Sequence, residues 1–227
     1  MRVTEIFHSL QGEGLLVGTP SVFVRLAGCP LRCRWCDTAY SWDYTAGEEL
    51  DVARIVERVG QWACASVVLT GGEPLAGPDG AVRPGFVDLT GRLKALGMHI
   101  TIETAGPLFV PGLTCDLLSI SPKLGNSNAS LSHQSPGCDP EILCRLIAAY
   151  PCQLKFVIES SRDINEVREL LRKLPAVDPA RVLLMPQART REELLARAPM
   201  VEGLCRETGF RFCDRLHVFL WGNERGR

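Results

Sequence analysis

At 227 residues, with 46% hydrophobic and 22% charged side chains, the chain has an ordinary globular composition and the length of one domain with a sizeable core. Net charge is -1 and the basic residues form no block, which excludes the electrostatic footprint of a nucleic-acid binder and leaves a few placed cations for a small anion. No apolar run approaches the roughly 18 residues of a membrane span, and residues 1–5 lack the apolar stretch of a secretory signal, so a soluble cytoplasmic protein is expected.

Along the chain, segment 9–14 (SLQGEG) taken alone passes for a flexible hairpin turn. Residues 21–26 (SVFVRL) read as a strand in which Arg25 passes for an exposed position. Residues 48–62 read as a helix, because Leu50, Ile55, Val56 and Val59 recur near helical spacing. Residues 66–70 (SVVLT) read as a strand ending on Gly71 and Gly72, and residues 86–96 as a helix stopped by Gly97. Strand-like runs follow at 99–103, 117–121, 153–159 and 181–185, and helix-like runs at 140–149, 163–174 and 191–208. Residues 125–137 form a polar, Ser/Asn-rich loop, either a lid or an inert excursion. Residues 211–220 read as a final strand.

This alternation specifies an α/β fold with a mostly parallel sheet and crossover helices. Such sheets place ligands beyond the C-terminal ends of their strands. Five unusual segments fall at or just after strand ends: 29–38, 71–74, 103–106, 121–123 and 186–187. Five segments on one rim are what a single large site requires.

Of ten cysteines, Cys64, Cys115, Cys138, Cys144, Cys152, Cys205 and Cys213 are scattered and read as small buried hydrophobes. Cys29, Cys33 and Cys36 crowd into eight positions, a metal-ligand spacing. Thiolates hold iron–sulfur clusters, and a four-iron cluster ordinarily takes four. Three on one loop leave one iron open to chelate a cofactor or substrate. Zinc is the competing reading and needs further ligands elsewhere. The four histidines, His8, His99, His133 and His217, are dispersed and supply no second close pair.

Cys29-x₃-Cys33-x₂-Cys36, with Trp35 before the last cysteine, resembles the cluster loop of radical S-adenosylmethionine enzymes. The resemblance implies a [4Fe–4S] cluster on Cys29, Cys33 and Cys36. It also implies S-adenosylmethionine bound to the open iron and cleaved by one electron to a 5′-deoxyadenosyl radical. Thr70, Gly71, Gly72, Glu73 and Pro74 resemble the element that holds the cofactor's methionine amino group, the glycines admitting a ligand close to the backbone. Glu103 to Gly106 and Ser119 to Lys123 resemble segments contacting the ribose and methionine parts, and Gln187 the residue near the adenosine. The implied cofactor residues are therefore Gly71, Gly72, Glu73, Glu103, Ser119, Lys123 and Gln187.

Ser9 to Gly14, then Gly18, Pro20, Phe23, Arg25 and Gly28, and finally Trp35, Cys36, Asp37 and Thr38, resemble the 7-carboxy-7-deazaguanine synthase family, from Phe7 to His217. That resemblance implies a reduced partial (β/α) barrel over a single domain, residues 1–227. It implies a lyase that contracts the ring of 6-carboxy-5,6,7,8-tetrahydropterin with loss of ammonia, in queuosine-precursor biosynthesis, and regenerates S-adenosylmethionine. Substrate contacts would come from Gln11, Glu13, Gly14, Arg25, Thr70 and His217. Mg²⁺ would sit beside Thr38, with Asp37 organising the loop through backbone hydrogen bonds. A homodimer and an electron donor such as flavodoxin or ferredoxin are implied as partners. Some relatives place a terminal carboxylate near the substrate; here residues 222–227 follow Trp221, and no such role is assigned. A glycyl-radical activase and a non-enzymatic metal-binding module are the alternatives. The Gln11, Glu13 and Arg25 wall argues against the first, and the glycine pair with the α/β alternation against the second.

Overall fold

The computed structural model describes residues 1–127, 139–222 and 224–227. Among these residues the strands are β1 (Arg2–Leu10), β2 (Pro20–Leu26), β3 (Glu48–Glu49), β4 (Ser66–Gly71), β5 (His99–Thr104), β6 (Leu117–Ile120), β7 (Cys152–Ile158), β8 (Val182–Pro186) and β9 (Arg211–Phe212). They form one sheet in the order β3-β1-β2-β4-β5-β6-β7-β8-β9. From β2 to β9 every neighbouring pair is parallel, while β1 runs antiparallel to β2 and β3. The two ends of the order do not pair, so the sheet is an open, partial (β/α) barrel. Parallel strands need long crossovers. These carry α1 (Val52–Val59), α2 (Phe86–Ala95), α3 (Pro140–Ala149), α4 (Asp163–Leu171) and α5 (Arg191–Thr208), and α6 (Leu216–Trp221) follows β9.

The period of two along each strand sorts the two faces. Val22, Val24 and Leu26, Val67 and Leu69, Ile100 and Ile102, Leu118 and Ile120, and Leu154, Phe156 and Ile158 join one buried core. That core also takes Ile55, Leu89, Leu143 and Val167 from the helices. Fully burying each such side chain contributes about 1.5–3 kcal/mol. The alternate residues Phe23 and Arg25, Val68 and Thr70, Glu103, Lys155 and Val157, and Met185 line a cavity on the opposite face. One apolar set holds the helices, and its complement furnishes the site.

Three sequence expectations are corrected. Residues 48–62 are not one helix: Glu48 and Glu49 pair with Val3 and Arg2 as β3. The helix begins at Val52, where the Asp51 side chain accepts the Arg54 N–H at 2.7 Å and caps it. Residues 211–220 are not one strand: β9 stops at Phe212 and His217 lies on α6. Arg25 is half-buried, its Nε donating to Glu5 at 2.7 Å. Residues 128–137 of the expected loop, with His133, and also Cys138, lie outside the described residues. No helix among the described residues is long and apolar enough to cross a membrane.

Candidate active site

The cysteine loop follows β2 directly and folds over the C-terminal rim. Gly28 turns it with φ 93° and donates its N–H to Ser41 O at 2.8 Å. Gly72 N–H donates to Leu26 O at 3.0 Å and Glu73 N–H to Gly28 O at 2.8 Å, which joins the end of β4 to the loop. A Cβ on Gly72 would meet the Gly28 carbonyl and lie 2.8 Å from the Cys29 Cβ; one on Gly71 would lie 2.9 Å from Leu26 N. Both glycines line the cavity, but the close approach they permit is that of the protein's own backbone. On its far side the loop is anchored by Arg34 N–H to Ser127 O at 2.9 Å and Trp35 Nε1 to Asn126 O at 3.1 Å.

Cys29, Cys33 and Cys36 all line the cavity as free thiols. Burial pushes the Cys29 thiol up to about 12, and the neighbouring Glu73, Cys33 and Cys36 add to the rise. Thr38 is beside them, its Oγ1 3.7 Å from Cys36 Sγ. Glu73 is buried and accepts from Thr104 Oγ1 at 2.6 Å, Ala105 N–H at 2.8 Å and Leu75 N–H at 3.1 Å. It therefore ties β4 to β5. Lys123 Nζ donates to Ser121 Oγ at 2.9 Å and stands over the Trp35 ring at 5.7 Å. Gln187 follows β8, its N–H bonded to Ile158 O at 2.8 Å.

The same cavity carries a polar network centred on Glu13. Lys155 Nζ donates to Glu13 Oε2 at 2.6 Å and to Glu103 Oε2 at 2.8 Å. Arg215 Nε donates to Glu13 Oε1 at 2.9 Å, and another Arg215 nitrogen to Asp37 Oδ2. Gln11 Nε2 donates to Glu103 Oε1 at 3.3 Å, and Gln11 Oε1 accepts the Glu13 N–H at 3.3 Å. Burial alone would raise the Glu13 carboxyl; the Lys155 and Arg215 charges outweigh it and hold Glu13 well below the usual carboxylate range. For Asp37 too, burial is outweighed by Arg215. Burial lowers His217 and favours its neutral imidazole. Gly12 is required here, because a Cβ would collide with the His217 ring. Phe7 and Phe23 stack at 5.0 Å and form an apolar side of the same cavity.

Of the residues implied to contact the cluster, Mg²⁺, cofactor or substrate, all but two line this cavity. Ser119 is fully buried away from the cavity, accepting from Gln153 Nε2 at 2.7 Å. Gly14 packs against Gln153 with φ 80° and gives its N–H to Cys213 Sγ at 3.1 Å. Asp37 acts through its side chain on Arg215, in place of the backbone hydrogen bonds expected in its own turn. Lys155 and Arg215 were missed. Lys155 had a signal, a charge inside the otherwise strand-like run 153–159. Arg215 stood out less, because Arg211 and Asp214 make charge ordinary in its segment.

An open parallel α/β sheet with three thiols over its C-terminal rim and a polar inner wall defines a radical S-adenosylmethionine protein, and the family model described as Radical SAM superfamily matches residues 23–174. The 7-carboxy-7-deazaguanine synthase of Rhodopirellula baltica is 39% identical over 99% of this chain and 88% of its own length. That of Halobacterium salinarum is 40% identical over 97% of this chain and 90% of its own. The crystal structure of QueE from Escherichia coli shares the fold, with a TM-score of 0.70 and 24% identity, covering 95% of this chain and 94% of that one. The chain belongs to the 7-carboxy-7-deazaguanine synthase family of radical S-adenosylmethionine enzymes.

Membership brings a [4Fe–4S] cluster and S-adenosylmethionine as cofactors. The residues fit that pair. Three free thiols share one cavity, and burial with the charge of neighbouring thiolates disfavours the thiolates of Cys29 and Cys33 until a cationic centre compensates. Among the described residues no three His, Cys, Asp or Glu side chains gather tightly enough for a single metal ion. A cluster spans its thiolates across several irons and does not require them gathered on one ion.

Proposed function

We propose that the chain converts 6-carboxy-5,6,7,8-tetrahydropterin to 7-carboxy-7-deazaguanine by radical ring contraction, acting as a carbon–nitrogen lyase that releases ammonia. The observation that carries this reading is the shared cavity: Gln11, Glu13, Arg25, Thr70 and His217 line the same cavity as the three thiols. The cluster and S-adenosylmethionine, when bound, supply the one-electron chemistry that abstracts a hydrogen atom from the substrate. The chain's own residues do the rest by positioning and by excluding water. Gln11 and Glu13 match the mixed donor and acceptor edge of a pterin. Arg25, its Nε held by Glu5, offers a planar guanidinium to the pterin carboxylate. Phe7 and Phe23 give a planar ring an apolar side to lie against.

Within the same reading, Mg²⁺ beside Thr38 anchors the substrate carboxylate, as a hard ion held by few protein oxygens and several waters. A flavodoxin or ferredoxin delivers the electron, residues 1–227 act as one radical S-adenosylmethionine domain, and the working unit is a homodimer. The test is anaerobic reconstitution with iron and sulfide, followed by S-adenosylmethionine, reductant, Mg²⁺ and the carboxylated tetrahydropterin. The expected products are 7-carboxy-7-deazaguanine by mass and ammonia in equal amount. Cluster-loaded protein that cleaves the cofactor yet leaves the pterin unchanged would overturn the reading.

A further inference from the structure

Lys155 sits in the middle of β7, 3% exposed, on the face of the sheet turned toward the cavity. Its ammonium reaches carboxylates from both halves of the site. Glu13 follows β1 on the substrate wall, and Glu103 lies near the end of β5, in the segment assigned to the cofactor. Two carboxylates gathered there would repel each other, and a buried charge is costly unless paired. Lys155 removes that repulsion and sets the distance between them through charge-assisted bonds of 2.6 and 2.8 Å. The second bridge, Gln11 Nε2 to Glu103 at 3.3 Å, is longer and uses a neutral donor. Arg215 grips the other oxygen of Glu13, so a movement at Glu13 cannot be absorbed on that side.

We propose that Lys155 is a positioning residue that couples the two ligand sites, so that S-adenosylmethionine and the pterin strengthen each other's binding. The inference rests on the pterin reading above. Ordering Glu13 against the pterin orders Lys155 and, through it, Glu103. The second ligand then finds its carboxylate already placed and loses less conformational freedom on binding. Coupling of this kind is reciprocal: each ligand must raise the other's affinity by the same factor.

The experiment is calorimetric titration of anaerobic, cluster-loaded protein without reductant, so that no turnover occurs. The carboxylated tetrahydropterin is titrated with and without saturating S-adenosylmethionine, and the order is then reversed. Wild type is expected to show a gain of roughly tenfold in both directions, within the usual range of such couplings. Lys155→Met, which keeps an unbranched chain one atom shorter and removes the charge, should bring the factor close to one at unchanged iron content. If Lys155→Met does not load its cluster, Lys155→Gln, which keeps a donor, decides in the same way. Failure of both to yield cluster-loaded protein makes Lys155 a structural residue and overturns the proposal. An unchanged factor in a folded variant, or a wild type without coupling, also overturns it while leaving the pterin reading intact. A wild type that binds no pterin at all fails the functional reading instead.

Discussion

A Cβ at Gly72 would meet the Gly28 carbonyl and lie 2.8 Å from the Cys29 Cβ, so a side chain there collides with the cysteine loop before it reaches any ligand. The sequence marks Gly72 as a position needing space; only the structure shows that the space belongs to the chain itself. Gly72→Val is therefore expected to lose bound iron and cofactor affinity together. Iron analysis with calorimetry checks this, and a variant that keeps its full cluster while losing only the cofactor would contradict it. Arg25 makes the opposite case. The role proposed for it depends on the shape of the guanidinium, which a lysine does not reproduce. Arg25→Lys should raise the pterin KM by about 10- to 100-fold, in line with roughly 1.5–3 kcal/mol for a charged hydrogen bond. Cofactor affinity should stay as in wild type. A normal KM would remove Arg25 from the pterin pocket.

Among the elements, helices 140–149 and 191–208 were legible to the residue, because an Asp or Thr cap precedes a periodic run in each. Strand β1 was not legible. Its alternation breaks between Val3 and Glu5, where its register against β2 also shifts. The end of β9 was overridden by tertiary contacts: Cys213 N–H bonds Leu184 O, Leu216 N–H bonds Gly12 O, and Arg215 swings in to Glu13. Helix α5 carries a defect of its own, Pro199 in its interior at an exposed position. Proline there leaves the Leu195 carbonyl without its helical donor and costs about 3 kcal/mol relative to alanine. Its stiffening of the unfolded chain returns roughly 1 kcal/mol. Pro199→Ala should therefore stabilise the protein by about 2 kcal/mol, read as a higher denaturant midpoint at unchanged slope. A lower midpoint would show that the proline is matched to a bend the fold requires.

Over the whole molecule, the site was legible wherever strand ends carry chemistry, because one parallel sheet brings all those ends to one rim. What the sequence hid was the buried cationic pair Lys155 and Arg215, whose partners lie 142 and 202 residues away in the chain at Glu13. That arrangement ties the stability of the fold to pH. In Glu5 and Glu13 burial raises the carboxyl, and the cations around each outweigh it, so both titrate below their ordinary 4.5. His217 is lowered from 6.5, by burial first. All three bind more protons unfolded than folded, so each contributes stability that is present above its unfolded value and is lost as pH falls through its folded one. Glu73 has the opposite sign: burial raises it above 4.5, and its contribution is lost as pH rises through the raised value. Asp37, also held low by Arg215, adds to the first set, so acid is the destabilising direction. The urea midpoint should fall in two stages, gently below about pH 6.5 as the unfolded chain takes up the His217 proton, then steeply below about pH 4.5 as Glu5 and Glu13 follow. His217→Gln should flatten the first stage alone, and Glu13→Gln should lower the midpoint at neutral pH while flattening the second. A midpoint unchanged between pH 7 and pH 4, or a Glu13→Gln profile parallel to wild type, would show that these charges do not hold the two sides of the site together.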